Sequence, residues 1–448
     1  MGAQLLRVAA GSMRVVGVIA GTVLLVGFTA GSRPSAIGSA HRCWVDGDHE
    51  GALAGLEMAP PGRERELNKA IVRLYAGNAP RAESDLAELC RRDPRWTPAV
   101  RWLARAQSQL GENEALDSAV ILLGMPGADA RDHLWAGRLY LEKGELTAAR
   151  TAFLRVVHDV EGMDLGWEGL AEAEARLGNT DAARAAERRA AALRAGESTA
   201  SGAPTGAGVE ALDDSLLSAG LHPGEILRYR VRYLFLNLGL LTLETGERIV
   251  YAGRPAHRVV FTAKSNPGIP FFRIDSRFES VVGVDGAVLA HRHVSSDSAS
   301  GDDMAGYDMD RDARRCTVRT VMDGLFGYDL LPLPRNAQDG VSVLLVARAV
   351  ARTHGSAVVP TAVASTWRAT RLRTLGTERF RWRGQDLQTV RTQSVGHYGG
   401  PGGLSGAVEI WISDDERALP LRVKMRVAVG SVRLELLSEE PTGAGPRQ

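Results

Sequence analysis

Four glycines impose a period on the first half of the chain. Gly77, Gly111, Gly144 and Gly178 stand 34, 33 and 34 residues apart, and each ends one apolar run and opens another. Five residues after each comes Ala82, Leu116, Ala149 or Ala183. A fixed period of this length marks a repeat architecture. One helix–turn–helix unit cannot bury its apolar stripe alone, whereas stacked copies bury a shared core. Ala, Leu, Arg and Glu recur here with helical spacing, so residues 45–195 are predicted to form an all-α solenoid. Gly47 and Ala52 look like a degenerate earlier half-repeat.

In the best copy, Gly137, Tyr140, Gly144, Ala149 and Phe153 stand where a tetratricopeptide repeat needs them, and Asp93-Pro94 breaks the chain between two copies. The segment resembles that family. The resemblance implies paired helices and a concave face that takes a protein or peptide. A generic array of helical hairpins is the plainer alternative, with the same overall form. The register set by Gly111 and Gly144 puts Arg101, Arg105 and Arg138 on the first helix of their pairs, facing the groove. Arg101 and Arg105 are four apart and stack one turn above the other. Guanidinium groups suit bidentate carboxylate contacts, so the expected ligand is an acidic peptide or a carboxylate terminus. Glu142 neutralises part of this stripe, and Glu168 and Glu172 turn the next groove acidic. An ordinary solvated face is the competing reading.

Residues 196–208 contain no apolar side chain larger than Ala or Pro, so residues 196–220 read as a flexible linker. Beyond it the period changes to two. Leu227, Tyr229, Val231 and Tyr233 alternate with Arg228, Arg230 and Arg232, a strand with one basic face. Val408, Ile410 and Ile412 begin another, and a charged turn leads to Leu421, Val423 and Met425. At Gly430-Ser431 the apolar phase shifts. A two-residue turn there would pair Val429 with Val432, Val427 with Leu434 and Met425 with Leu436, and set Arg426 opposite Glu435. A β-bulge in one long strand gives the same shift. Further strands are predicted at 316–321, 367–375, 380–382 and 387–392, a hairpin at Asp285-Gly286, and one helix at 339–351 with Asp339 as N-cap. The fold is therefore multidomain: a solenoid, then a mainly antiparallel β domain over 221–438 and a disordered tail over 439–448. The β domain should be a curved sheet or open barrel around one helix.

The stretches at 224–239, 263–266, 271–280 and 408–437 also carry a resemblance. They are similar to an uncharacterised family of exported bacterial proteins, domain of unknown function 3108. This implies an exported β-rich domain and supplies no activity and no site.

Residues 15–30 are uncharged and apolar between Arg14 and Arg33, a length that suits a signal-peptide core, with Gly38-Ser39-Ala40 as its cleavage site. Residues 1–40 are thus read as a signal peptide or, alternatively, an N-terminal membrane anchor. The mature chain is expected in the periplasm or tethered to the inner membrane. With 54 basic and 53 acidic residues, the chain as a whole has no nucleic-acid footprint. Cys43, Cys90 and Cys316 are too few and scattered for a disulfide framework or zinc site. His291 and His293 share a strand face but lack a convincing third metal ligand, and read as surface residues. Asp414, Asp415 and Glu416 are ordinary turn residues. The glycines at 399–406 lack a phosphate-loop Lys, and neither a nucleophile elbow nor a Cys–His signature appears. No cofactor or metal is expected. The leading expectation is a non-enzymatic envelope protein with two interaction modules. A carrier of an apolar ligand, lipid or acyl chain, in the β domain is the second, and an envelope-polymer hydrolase the third.

Overall fold

The structure, a computed structural model, describes residues 36–194, 217–269, 275–295, 303–363, 366–395, 407–426 and 430–441. These fall in two compact units, one within residues 32–201 and one within 202–448.

In the first unit the described helices pair in order. They are α1 (Ala36–Asp46) with α2 (His49–Glu57), α3 (Arg63–Tyr75) with α4 (Ala79–Arg92), α5 (Thr97–Leu110) with α6 (Glu114–Leu123), α7 (Ala130–Lys143) with α8 (Leu146–Asp159), and α9 (Asp164–Arg176) with α10 (Thr180–Arg194). Gly47, Gly77, Gly111, Gly144 and Gly178 open the turn inside each pair with φ between 78° and 87°. A side chain at Gly77, Gly111, Gly144 or Gly178 would meet nothing within 4 Å, so the left-handed backbone alone selects glycine. The element at Gly47 is a complete hairpin and not a half-repeat, because α1 begins upstream at Ala36 and buries Ala40 and Trp44 fully. The proposed cleavage site at Gly38-Ser39-Ala40 therefore lies inside α1. Phe153 is fully buried in the space left by two glycines; a Cβ on Gly137 or Gly169 would come within 2.8 or 2.2 Å of its ring.

The second unit is one sheet of fourteen strands. In chain order they are β1 (Glu225–Tyr233), β2 (Leu236–Tyr251), β3 (Arg254–Ser265), β4 (Asp275–Gly283), β5 (Val288–Ser295), β6 (Asp303–Asp310), β7 (Arg315–Met322) and β8 (Leu325–Pro332). Helix α11 (Ser342–Thr353) follows, then β9 (Ser356–Val363), β10 (Thr366–Trp382), β11 (Gln385–Val395), β12 (Ala407–Ser413), β13 (Pro420–Arg426) and β14 (Ser431–Pro441). Every neighbouring pair is antiparallel, and the order runs β8 to β1, then β14 to β9. The sheet is open and curved, not a closed barrel. Its edge strand β9 is covered by a parallel bridge from Gln338, which donates to Pro360 O (2.7 Å) and accepts from Ala362 N (2.9 Å).

Helix α11 fills the inner face. Val346, Ala347 and Val350 join one core with Leu227, Tyr229, Leu243, Val390, Ile410, Leu421 and Leu434. The helix starts at Ser342 with Val341 at its N-cap position, so Asp339 lies in the turn ahead of it, its Oδ1 accepting from the backbone of Val341 and Ser342 at 2.8 Å. The β13–β14 hairpin forms, but Met425 faces Val432 and Arg422 faces Glu435. This register differs by four residues from the expected one, which set Met425 opposite Leu436; residues 427–429 lie outside the described residues. Two boundaries also move. Residues 217–220 pack on α11 instead of extending the linker, with Leu217 in the core and Arg352 donating to Ala219 O. Strand β14 runs to Pro441, into the stretch read as tail, because its last residues pair with β1.

Within this core Arg348 is completely buried. Its guanidinium forks onto Glu225 (2.5 and 3.1 Å) and donates to Ala418 O (3.0 Å) and Arg417 O (2.7 Å). Removing one partner of a buried pair strands the other charge. Arg348→Met should therefore destabilise the β unit by about 3–5 kcal/mol in urea unfolding, and adding Glu225→Gln should recover part of the loss. A midpoint unchanged by the single substitution would show the pair to be dispensable.

Candidate functional site

Along the helical unit the first helices of successive pairs meet one another, α3 with α5 and α7 with α9. An aromatic run links the earlier ones: Trp44 to Tyr75 at 6.4 Å, then Tyr75 to Trp102 at 5.9 Å. Cations link the later ones. Lys143 Nζ donates to Gly111 O (3.4 Å), and Arg176 to Leu141 O (2.8 Å), each reaching the carbonyl end of the preceding first helix. These helices thus present one continuous surface.

Arg101 and Arg105 stand on α5 and Arg138 on α7, in different states. Arg101 is half-buried and forks onto Asp132 Oδ1 and Oδ2 (2.6 and 2.7 Å), with a further bond to Gly127 O (3.2 Å). Asp132 is fully buried and closes the capping box of α7 with Asp129. Arg101 therefore ties α5 to α7. Arg105 lies 4.8 Å over the ring of Trp102 on its own helix, and Arg138 is exposed. Sequence reasoning missed Asp132; its signal was the Asp-x-x-Asp spacing at the start of α7. It also missed a cleft of about 520 Å³ where the loops before α3 and α5 meet. There Arg63 stacks 4.6 Å from Trp96 and pairs with Asp93 at 2.9 Å.

In the β unit, His291 and His293 are not surface residues: they are 8% and 5% exposed. The polar stretch directly after them, 296–302, lies outside the described residues; strand β6 follows, and its Tyr307 lies opposite His291. The ring of His293 lies flat on Phe278, centroids 4.2 Å apart. His291 Nδ1 is 3.0 Å from Ser280 Oγ and 3.3 Å from Asp339 Oδ2. A Ser–His–Asp relay needs its serine and its carboxylate on opposite ring nitrogens. Here both meet Nδ1, and Ser280 is fully buried, so the cluster fixes the start of α11 and does not present a nucleophile. Among the described residues no group of three or more His, Cys, Asp or Glu could hold a metal. Asp415 Oδ1 accepts from Ser413 Oγ and the backbone of Arg417 and Ala418, which makes it the organiser of its turn. The glycines at 399–406 lie outside the described residues. The three cysteines are free, and burial pushes the thiols of Cys90 and Cys316 up to about 11 and about 12.

Residues 228–437 match the sequence profile of a family described as "Protein of unknown function (DUF3108)". No curated protein matches the chain. Solved structures similar to it include MamA, 19% identical over 34% of this chain and 92% of that one, with a TM-score of 0.31. MamA from Desulfovibrio magneticus is 19% identical over 36% and 93%, TM-score 0.33. A tetratricopeptide repeat protein from Parabacteroides merdae is 18% identical over 35% and 64%, TM-score 0.31.

Burial, aided by His291, lowers His293 from an ordinary 6.5 to about 3. The folded chain keeps this ring neutral where the unfolded chain protonates it, so stability is full above the unfolded value and is lost as pH falls toward the folded one. From about pH 6.5 to pH 4, wild type should lose up to about 1.4 kcal/mol per pH unit more than His293→Leu. Parallel urea titrations across that range, giving equal slopes for the two proteins, would show that the ring is not held neutral.

Proposed function

We propose that the chain is an exported, non-enzymatic interaction protein whose helical repeats hold an acidic segment of a partner protein. The observation that carries this reading is the shared surface made by the first helices of successive hairpins. A short peptide can contact several repeats at once there, and repeat arrays extend such a surface without a dedicated pocket. Arg105 and Arg138 lie on its α5 and α7 portion, and Arg is suited to carboxylate recognition. Arg101 acts as a positioning residue, since it holds α7 against α5 through Asp132. The β unit serves as the second module.

Two variants separate recognition from scaffolding. Arg105→Gln, which keeps an uncharged polar chain at that half-buried position, with Arg138→Glu at an exposed one should leave the protein folded and weaken capture of the partner from envelope extract at least tenfold. Arg101→Ala should instead lower stability by about 3 kcal/mol, through stranding of Asp132. Undiminished capture by the folded double variant would refute recognition by these side chains.

Export rests on the apolar run at 15–30. Processing is proposed upstream of Ala36, because a cut after Ala40 would remove half of α1 and the Ala40 side chain that meets Gly55. Sequencing of the N-terminus of protein recovered from the envelope tests this; a chain starting at His41 would refute it.

A further inference from the structure

On the face of the sheet turned away from α11, β1, β14 and β13 carry cations in register. Arg232 is opposite Arg433, and Arg433 is opposite Lys424, whose other cross-strand neighbour is Glu409. Like charges directly across a ladder repel. Glu435 lies within 3.8 Å of Arg232 and 3.7 Å of Arg422, and among the described residues no carboxylate forms an ion pair with Arg433 or Lys424. Arg230 and Arg426 add to the same face, both exposed. Glu409 and Glu435 relieve part of this row, but the directly facing Arg232 and Arg433 still cost the isolated chain electrostatic energy that an external anion would remove.

The row ends at an apolar tip. Leu234 and Phe235 form the two-residue turn between β1 and β2, and they are 55% and 81% exposed. Leu234 also has φ 51°, a left-handed conformation that favours Gly or Asn. The turn thus sacrifices both burial and backbone comfort to hold two large apolar side chains outward. Leu240, 52% exposed, stands opposite Arg230 on the same face.

We infer that this face and its Leu234-Phe235 tip dock on the surface of an anionic lipid bilayer. A soluble acidic polymer would satisfy the cations but leave Phe235 in water. A bilayer surface supplies negative charge and an apolar phase within a few ångströms, which is the pairing that interfacial anchors use. Each Lys or Arg near such a surface is worth about 1 kcal/mol, or roughly fivefold in partition. The inference is independent of what the helical repeats hold.

The test uses the chain from residue 32 onward, which keeps every described element and removes the apolar N-terminal run. It is sedimented with vesicles of phosphatidylcholine alone or with about one third phosphatidylglycerol. Binding is expected only to the anionic vesicles, and should weaken as salt rises. Lys424→Glu with Arg433→Glu should lower it more than a hundredfold. Leu234→Asn with Phe235→Gly installs residues that suit the turn, so the fold is retained while binding falls at least tenfold. Equal binding to neutral vesicles, or undiminished binding of the Asn-Gly variant, overturns the inference. So does salt-sensitive binding of polyglutamate by the Asn-Gly variant at wild-type strength together with no vesicle binding by wild type, which would identify an acidic polymer as the occupant.

Discussion

The β unit depends on one buried ion pair. A guanidinium at the centre of an apolar helix is costly to desolvate, and the cost is met only if every donor finds a partner. Arg348 finds Glu225 at the start of β1 and two carbonyls in the turn between β12 and β13. One side chain thereby fixes α11 against the first strand of the sheet and against a turn near the last. Hydrophobic packing alone leaves a helix free to slide by a turn, whereas a fork onto one carboxylate has a single position. Tyr229, fully buried on β1, carries a hydroxyl without a hydrogen-bond partner among the described residues, so polar satisfaction around the pair is concentrated in Arg348.

Much of the architecture was legible because it rests on local rules. Glycine at a left-handed turn recurs wherever a helix pair turns back, so the period of Gly77 through Gly178 located the hairpins. Alternation located β1, β7, β11 and β13. Strands β6, β8 and β9 were not legible, for separate reasons. β6 reads as loop because Asp303, Asp308 and Asp310 interrupt it, yet Asp308 is held by Arg292 (2.6 Å) and Arg319 (2.5 Å) from its neighbours. β8 carries Gly327 and ends on a proline, and β9 contains Pro360, which an edge strand tolerates.

The site residues were less legible because their states depend on distant partners. Nothing near Arg101 in sequence announces that Asp132, 31 residues on, will take its charge. The histidines of β5 looked exposed because the following text is polar, but exposure is set by Phe278 on the neighbouring strand and by Asp339 ahead of α11. Arg348 had a visible oddity, a cation in the middle of an apolar helix, but its partner stands 123 residues earlier. Spacing fixes which face a side chain occupies; tertiary pairing decides whether that face is wet.

The strand order has a kinetic consequence. β8 and β9, the two edges, are neighbours in the chain, while the first and last strands meet in the middle of the sheet. As the chain emerges, β1 to β8 can form a meander of local hairpins, but the far side of β1 stays open until β14 arrives. Arg348, the partner of Glu225 at the end of that open strand, precedes β14 in the chain and is made before the seam can close. Loop closure over so long a chain is slow relative to hairpin formation. The centre of the finished sheet is therefore the last part to be sealed, and until then it is the stretch of backbone most open to pairing with another chain.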